Sequence, residues 1–229
     1  MFNQDADLSR MLQSVPLDGF SLHFEALEWL AKFLEAARPR VVLEFGSGYS
    51  TLLQCAVLER IHGPVGFRLL SFEQDVRFLE KTAELMKARP GRTSCRLAHA
   101  PLVPGAVAGR ATSFYNLAGE AQEHLRWLGK AEFVFIDGPF AKGPCRYATL
   151  PAVRGFLAPG ASFAMDDGLR GKELLVGSLW EEEGVQVEGV LTMGRGIVVG
   201  SVPQGRTKVG VSKPTGAPLI TIPNPADRL

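Results

Sequence analysis

The chain has 229 residues, enough for one α/β domain with a substantial buried core and too few for a second full domain. Apolar residues make up 46% and charged residues 21%, the balance of a globular chain and not of a disordered or fibrous one. Lys and Arg number 25 against 24 Asp and Glu, a net charge of +1 with no basic block, so charge gives no reason to expect nucleic acid or an anionic membrane as partner.

Residues 1–19 read as an N-terminal extension. Its start, Met1-Phe2-Asn3-Gln4-Asp5-Ala6-Asp7, is polar and acidic and lacks the basic and apolar regions of a secretory signal. A helix is expected over Phe20–Ala37, because Phe20, Leu22, Phe24, Leu27, Leu30, Phe33 and Leu34 gather on one side, and Pro39 ends it. Val41–Phe45 is β-branched and apolar with little alternation, which predicts a short buried strand. A glycine turn leads into a helix over Ser50–Ile61, with Ser50 or Thr51 suited to capping its start. Phe67–Phe72 predicts a second strand, Gln74–Lys87 an amphipathic helix stopped by Pro90-Gly91, and Ser94–His99 a short third strand.

Residues 100–116 are rich in Pro, Gly and Ala and carry no readable period. A helix follows over Leu117–Leu128, then the clearest strand of the chain, Glu132–Asp137, which ends in an acid and a Gly-Pro turn. Tyr147–Leu157 reads as a helix, Pro159-Gly160 as a turn, and Ala161–Met165 as a strand running into Asp166-Asp167. A helix over Gly171–Glu182 precedes two strands, Val185–Thr192 and Gly196–Val202. Only Met193-Gly194-Arg195 separates these two, too little for a crossover helix, so they should pair as an antiparallel hairpin. Strands alternating with helices predict an α/β domain over residues 20–202, its sheet mostly parallel and covered on both faces. The tail, residues 203–229, holds five prolines and reads as an extended arm compatible with packing on a second subunit in a homodimer.

No uninterrupted apolar run approaches membrane-spanning length. Cys55, Cys95 and Cys145 are odd in number and widely spaced, so they suggest neither a disulfide framework nor a zinc site, and a reducing cytoplasm is the expected setting. Cys145 reads as a small buried apolar side chain.

The first chemical motif is Glu44-Phe45-Gly46-Ser47-Gly48-Tyr49-Ser50-Thr51. Gly46 and Gly48 let the chain reverse between strand and helix while a ligand approaches the backbone, where it meets free N–H groups at the helix start. A dinucleotide fingerprint would place a third glycine where Thr51 stands. Glu44 would repel a pyrophosphate and welcome an ammonium, which favours a cationic ligand with an amino-acid head. The plainer reading is a turn that needs glycines, with Glu44 as a solvated acid.

This run resembles the first motif of the class I S-adenosylmethionine-dependent methyltransferases, and the likeness extends over roughly Pro16 to Val202. The resemblance implies a doubly wound, Rossmann-like sheet of seven strands closing in an antiparallel hairpin. It implies S-adenosyl-L-methionine held by Glu44, Gly46, Ser47, Gly48, Ser50 and Thr51. Glu73, directly after the second strand, matches the acid that accepts both ribose hydroxyls, with Gln74 beside it. His99 and Ala100 match the adenine edge by position only, since the usual Asp or Ser is missing.

Asp137, Asp166 and Asp167 end the fourth and fifth predicted strands, which should be sheet neighbours. Three such carboxylates can hold a hard divalent cation such as Mg²⁺. The set is similar to that of the catechol-type and caffeoyl-coenzyme-A-type O-methyltransferases, with two departures. Asp167 stands where those carry Asn, and Lys142 lies two residues beyond the place of the catechol-type base. Without a metal, Asp137 would orient its loop and Asp166-Asp167 would cap the next helix. Arg146 and Arg170 are expected near the cluster, either paired with it or receiving an anionic acceptor. The further run of Phe135-Ile136-Asp137-Gly138-Pro139, Arg146-Tyr147 and Leu157-Ala158-Pro159-Gly160 resembles a group of bacterial class I methyltransferases.

The reading is therefore methyl transfer to an oxygen of a small molecule, with Asp137 and Asp166 as the candidate catalytic residues. Two alternatives stay open at this point: a protein that binds S-adenosylmethionine without turnover, and a nicotinamide-dependent oxidoreductase.

Overall fold

A computed structural model describes residues 22–87, 94–107 and 109–203. The expected N-terminal extension, the Pro90-Gly91 stop and almost all of the proline-rich tail lie outside the described residues. The elements are α1 (Phe24–Ala37), β1 (Val41–Phe45), α2 (Tyr49–His62), β2 (Arg68–Glu73), α3 (Val76–Lys87) and β3 (Cys95–His99). They continue with β4 (Leu102–Val107), β5 (Arg110–Tyr115), α4 (Glu120–Leu128), β6 (Ala131–Ile136), α5 (Thr149–Val153), β7 (Leu157–Met165), α6 (Gly171–Glu182), β8 (Gln186–Leu191) and β9 (Ile197–Val202).

Seven strands form one sheet in the order β3-β2-β1-β6-β7-β9-β8. Neighbours are parallel except where β9 runs antiparallel between β7 and β8, so the expected doubly wound sheet and final hairpin are both present. The strand runs that look apolar throughout do so because both sheet faces are covered. Val42 of β1 and Phe133 and Phe135 of β6 point into a core under α1 and α2. Leu43, Phe45, Val134 and Ile136 point into the opposite core, with Leu125, Leu150, Val176 and Trp180 from α4, α5 and α6. Parallel β1, β2 and β6 thus deliver their C-terminal ends, and Gly46, Glu73 and Asp137, to one edge of the domain.

Four features differ from expectation. Residues 100–116, which carry no sequence period, contain the hairpin β4–β5, a separate antiparallel pair with Leu102 opposite Tyr115. Pro104 and Gly105 in β4 break the usual strand signal, yet an edge pair of this kind tolerates them. The helix expected over Tyr147–Leu157 is a single α turn, α5, between 3₁₀ turns at Cys145–Ala148 and Arg154–Phe156. Pro151 and Gly155 account for the interruption, one lacking a donor and the other lacking helix propensity. Pro159-Gly160 does not break the strand after it. β7 begins at Leu157 and absorbs these residues through a register slip between Ala131 and Phe133, with Gly160 at φ 72°.

The fourth difference is a correction. Cys55 and Cys95 form a disulfide, their Cα atoms 6.7 Å apart, although the cysteine count and spacing suggest no pairing. One lies on α2 and the other on β3, so 40 residues of chain conceal their proximity. Cys145 is buried and free, its thiol directed at the Pro139 carbonyl. Among the described residues, no helix is long and apolar enough to cross a membrane.

Candidate active site

The glycine turn after β1 is held from both sides. Gly46 N–H donates to the Phe72 carbonyl (2.8 Å), and Gly46 has φ 93°. A Cβ at Gly46 would lie 2.9 Å from the Gly138 nitrogen, so the loop after β6 leaves room for no side chain there. Gly48 N–H donates to Thr51 Oγ1 (3.0 Å), so Thr51 reaches back from within the helix, and Gly48 is the capping residue in place of the expected Ser50 or Thr51.

Glu44 does not face a ligand. It is fully buried on the α2 side of the sheet, where its carboxylate accepts from Ser50 Oγ (2.6 Å), Thr51 Oγ1 and Gln54 Nε2 (2.6 Å). β1 alternates, so once Phe45 enters one core its neighbour must enter the other. Burial outweighs the three donors and lifts the Glu44 carboxyl from about 4.5 to about 7. Between those values the folded chain keeps a proton that the unfolded chain has released. The resulting stabilisation is complete below about pH 4.5 and lost as the pH passes about 7, a change of roughly 3 kcal/mol. Glu44→Gln is expected to flatten this part of the pH dependence. Thermal melts of both proteins at pH 5 and pH 8 measure it, and equal pH 5-to-8 differences would refute the assignment.

Glu73 ends β2 and is buried but for the edge that it presents to a cleft. Its Oε2 accepts Ser47 N–H (2.8 Å), and its Oε1 accepts Gln74 N–H (2.8 Å) and Asp75 N–H (3.0 Å). One carboxylate therefore positions the glycine turn and the loop after β2 together. Burial raises its pKa against those donors. Ser47 Oγ completes the link by donating to Thr82 Oγ1 (3.2 Å) on α3.

Two clefts meet at Asp137, which lines both. The larger, of about 900 Å³, also has Gly46, Ser47, Glu73, Gln74 and Asp167 in its wall. The smaller, of about 500 Å³, is bounded by Ser47, Gly48, Ser50, Phe78 and Thr82. The structure thus gathers Gly46, Ser47, Gly48, Ser50, Glu73, Gln74, Asp137 and Asp167 around one continuous opening. Glu44, Thr51, His99, Ala100 and Asp166 line neither cleft. Ala100 is buried and donates its N–H to the Glu73 carbonyl (2.8 Å), while His99 is exposed with Nε2 at 3.1 Å from the Gln74 carbonyl. The Gln74 amide spans the mouth of the larger cleft. It accepts Phe140 N–H (2.8 Å) and donates to the Phe140 carbonyl (3.1 Å), leaving the Phe140 ring largely exposed with Lys172 Nζ at 5.9 Å.

The acidic cluster forms as expected, with one oxygen from each of Asp137, Asp166 and Asp167 lying within 4.8 Å of the others. Its counter-charge comes from the chain itself. Buried Arg146 donates to the Asp166 and Asp137 carbonyls (both 2.7 Å) and to Asp167 Oδ2 (3.0 Å), with Asp137 Oδ1 at 3.3 Å. Arg170 Nη1 lies 2.7 Å from Asp167 Oδ2. Arg195 Nε lies 2.7 Å from Asp167 Oδ1, and its Nη2 is 3.4 Å from Asp166 Oδ2. Asp167 holds φ 62°, a left-handed backbone that an Asp side chain tolerates better than most. Burial pushes the Asp137 carboxyl well above the usual range, and Asp166 adds to this while Arg146 opposes it. Burial and Asp167 likewise raise Asp166.

A divalent cation does not fit this arrangement. Both oxygens of Asp167 already lie beside guanidinium groups, and Arg146, Arg170 and Arg195 bring three positive charges to the cluster. Arg195 carries no local sequence signal; it sits in the turn between β8 and β9, and only the antiparallel return of β9 beside β7 brings it to the acids. Tyr115, from the hairpin segment without a period, also lines the larger cleft.

Sequence comparison finds no matching family model and no matching curated protein. Solved structures do match. The SAH-bound methyltransferase PaMTH1 of Podospora anserina superposes with a TM-score of 0.59 over 87% of each chain, at 14% identity. The fold is that of the class I methyltransferases. The O-methyltransferase TomG of Streptomyces achromogenes, involved in tomaymycin synthesis and in complex with SAM, has a TM-score of 0.58 at 17% identity, covering 89% of this chain and 91% of its own. A Bacillus cereus O-methyltransferase in complex with SAH has a TM-score of 0.57 at 14% identity, covering 88% and 91%. At these identities the class I methyltransferase likeness is one of architecture, and the chemistry rests on the cleft.

Proposed function

We propose that the protein is an S-adenosylmethionine-dependent methyltransferase acting on an oxygen of a small molecule. The observation that carries this reading is the Glu73 carboxylate, fixed by three backbone N–H groups at the end of β2 and facing the cleft beside the Gly46-Ser47 turn. Its remaining lone pair, on Oε2, suits an O–H group of a ribose diol. The neighbouring opening at Ser47, Gly48 and Ser50 suits an amino-acid head, which Glu44, buried away from it, does not meet.

S-adenosylmethionine supplies an electrophilic methyl carbon. The acceptor oxygen forms a bond to that carbon as the carbon–sulfur bond breaks, its electron pair leaving with sulfur, and the acceptor loses a proton. The chain's contribution is chiefly to hold donor and acceptor in line. Asp137 lines both clefts, which places its carboxylate to take the acceptor proton. Asp166 lines neither cleft and acts through Arg146 and Arg195 as a positioning residue. No metal step belongs to this mechanism, because the arginines supply the charge that Mg²⁺ would.

A small-molecule acceptor and a homodimer belong to the same reading, while the Cys55–Cys95 disulfide removes the ground for a reducing cytoplasm. The cationic and aromatic rim of Arg170, Lys172 and Phe140 supports a small planar acceptor.

Calorimetry with S-adenosylhomocysteine tests the proposal. Micromolar-range binding, unchanged by EDTA or by millimolar Mg²⁺, is the expected result. No binding under any condition would sink the reading, and a strict requirement for Mg²⁺ would overturn its metal-free form. A thermal-shift comparison with NAD separates the oxidoreductase, and a product assay over an acceptor panel separates a protein that binds without turnover.

A further inference from the structure

Tyr115 is 3% exposed, and its hydroxyl finds no hydrogen-bond partner among the described residues. A buried hydroxyl of this kind normally has one, which makes the exception informative. The ring is held firmly, stacked on Phe45 with centroids 5.3 Å apart and set edge-on to Phe114 at 5.3 Å. Consecutive strand residues usually face opposite ways, yet Phe114 and Tyr115 at the end of β5 are both buried. The hairpin therefore carries two aromatics inward, one as core and one that lines the larger cleft, its hydroxyl lying beside Gly138 in the same wall. The loop after β6 is shaped around that oxygen, since a Cβ added at Gly138 would run into it.

We propose that the Tyr115 hydroxyl is a hydrogen-bond donor to the nucleoside half of the ligand that Glu73 receives. The inference rests on the function proposed above. Glu73 can only accept, so a diol hydroxyl that gives its proton to it still has oxygen lone pairs to satisfy. The polar side chains that follow each loop's anchor on Glu73 are engaged elsewhere, the Gln74 amide on Phe140 and the Ser47 hydroxyl on Thr82. Tyr115 lines the larger cleft with Glu73 and not the smaller one, which assigns it to the nucleoside and not to the amino-acid head. Burial, with Glu73 and Asp137 nearby, holds the phenol well above its usual pKa, so it stays a neutral donor at all working pH values.

The test is Tyr115→Phe, which removes one oxygen and keeps the ring stack. Titration with S-adenosylhomocysteine and with 5′-methylthioadenosine, which lacks the amino-acid head, is expected to show the same loss, about three- to tenfold for each. The ligand-free variant should melt at or above the wild-type temperature, because the missing hydroxyl has no partner among the described residues. Unchanged affinity for both ligands would overturn the proposal while leaving the proposed function standing. A loss confined to S-adenosylhomocysteine would overturn the nucleoside assignment. A lower melting temperature in the ligand-free variant would show that the hydroxyl serves the fold instead, which also overturns it. Failure of the wild type to bind either ligand would remove the proposed function and this inference together.

Discussion

Glu73→Ala is expected to weaken S-adenosylhomocysteine binding about 100-fold, roughly 2.7 kcal/mol. Two effects add. The variant loses a charge-assisted hydrogen bond to the ribose diol, typically worth about 1.5–3 kcal/mol. It also releases Ser47, Gln74 and Asp75, whose N–H groups all end on this one carboxylate, so two loops of the cleft lose their common anchor. Some of that loss reappears as entropy the ligand must remove on binding. Glu73→Gln separates the contributions, because an amide keeps an acceptor for one loop but turns a donor toward the other. Calorimetry on the wild type and both variants measures this. A loss below about threefold in Glu73→Ala would mean that Glu73 is a loop anchor and not a ligand group.

Arg146→Met is expected to lower the melting temperature by roughly 10 °C, from a loss of about 3–5 kcal/mol. The guanidinium is buried and reaches two backbone carbonyls and two carboxylates. Methionine fills much of the volume but leaves Asp137, Asp166 and Asp167 with Arg170 and Arg195 alone as counter-charge. Asp137 and Asp166 already have raised pKa values, and without Arg146 they rise further. At low pH the acids take up protons and the deficit shrinks, so the gap between variant and wild type should widen as pH rises. Scanning calorimetry at pH 5 and pH 8 checks both statements. A melting temperature within about 2 °C of wild type at pH 8 would show that the cluster is not held by this arginine.

Much of this arrangement is legible in the amino-acid sequence alone. Val41–Phe45 and Ala131–Ile136 are short and apolar because both sheet faces are covered, and that same fact makes them readable as strands. Glu73 and Asp137 stand at strand ends, and the resemblance to class I methyltransferases singles out Glu73 from other acids so placed. The remainder is hidden for one of three physical causes. Tyr115 and its hairpin give no signal because Pro104, Gly105 and two adjacent buried aromatics leave no period of two. Arg195 and the Cys55–Cys95 bridge depend on contacts between elements far apart in the chain, which no local pattern records. Glu44 lies on the expected strand but on the opposite face, because a buried carboxylate with three side-chain donors looks in sequence like an exposed one.

The φ of 62° at Asp167 separates two demands that one position must meet. The backbone there admits glycine, asparagine and aspartate readily and other residues at a cost, commonly about 1–3 kcal/mol. Within that short alphabet the bend is constant and only the charge varies. Asparagine would keep the turn and remove one negative charge from the three guanidiniums that aspartate faces. Position 167 thus couples a fixed bend of backbone to the charge that Arg146, Arg170 and Arg195 meet in the wall of the cleft.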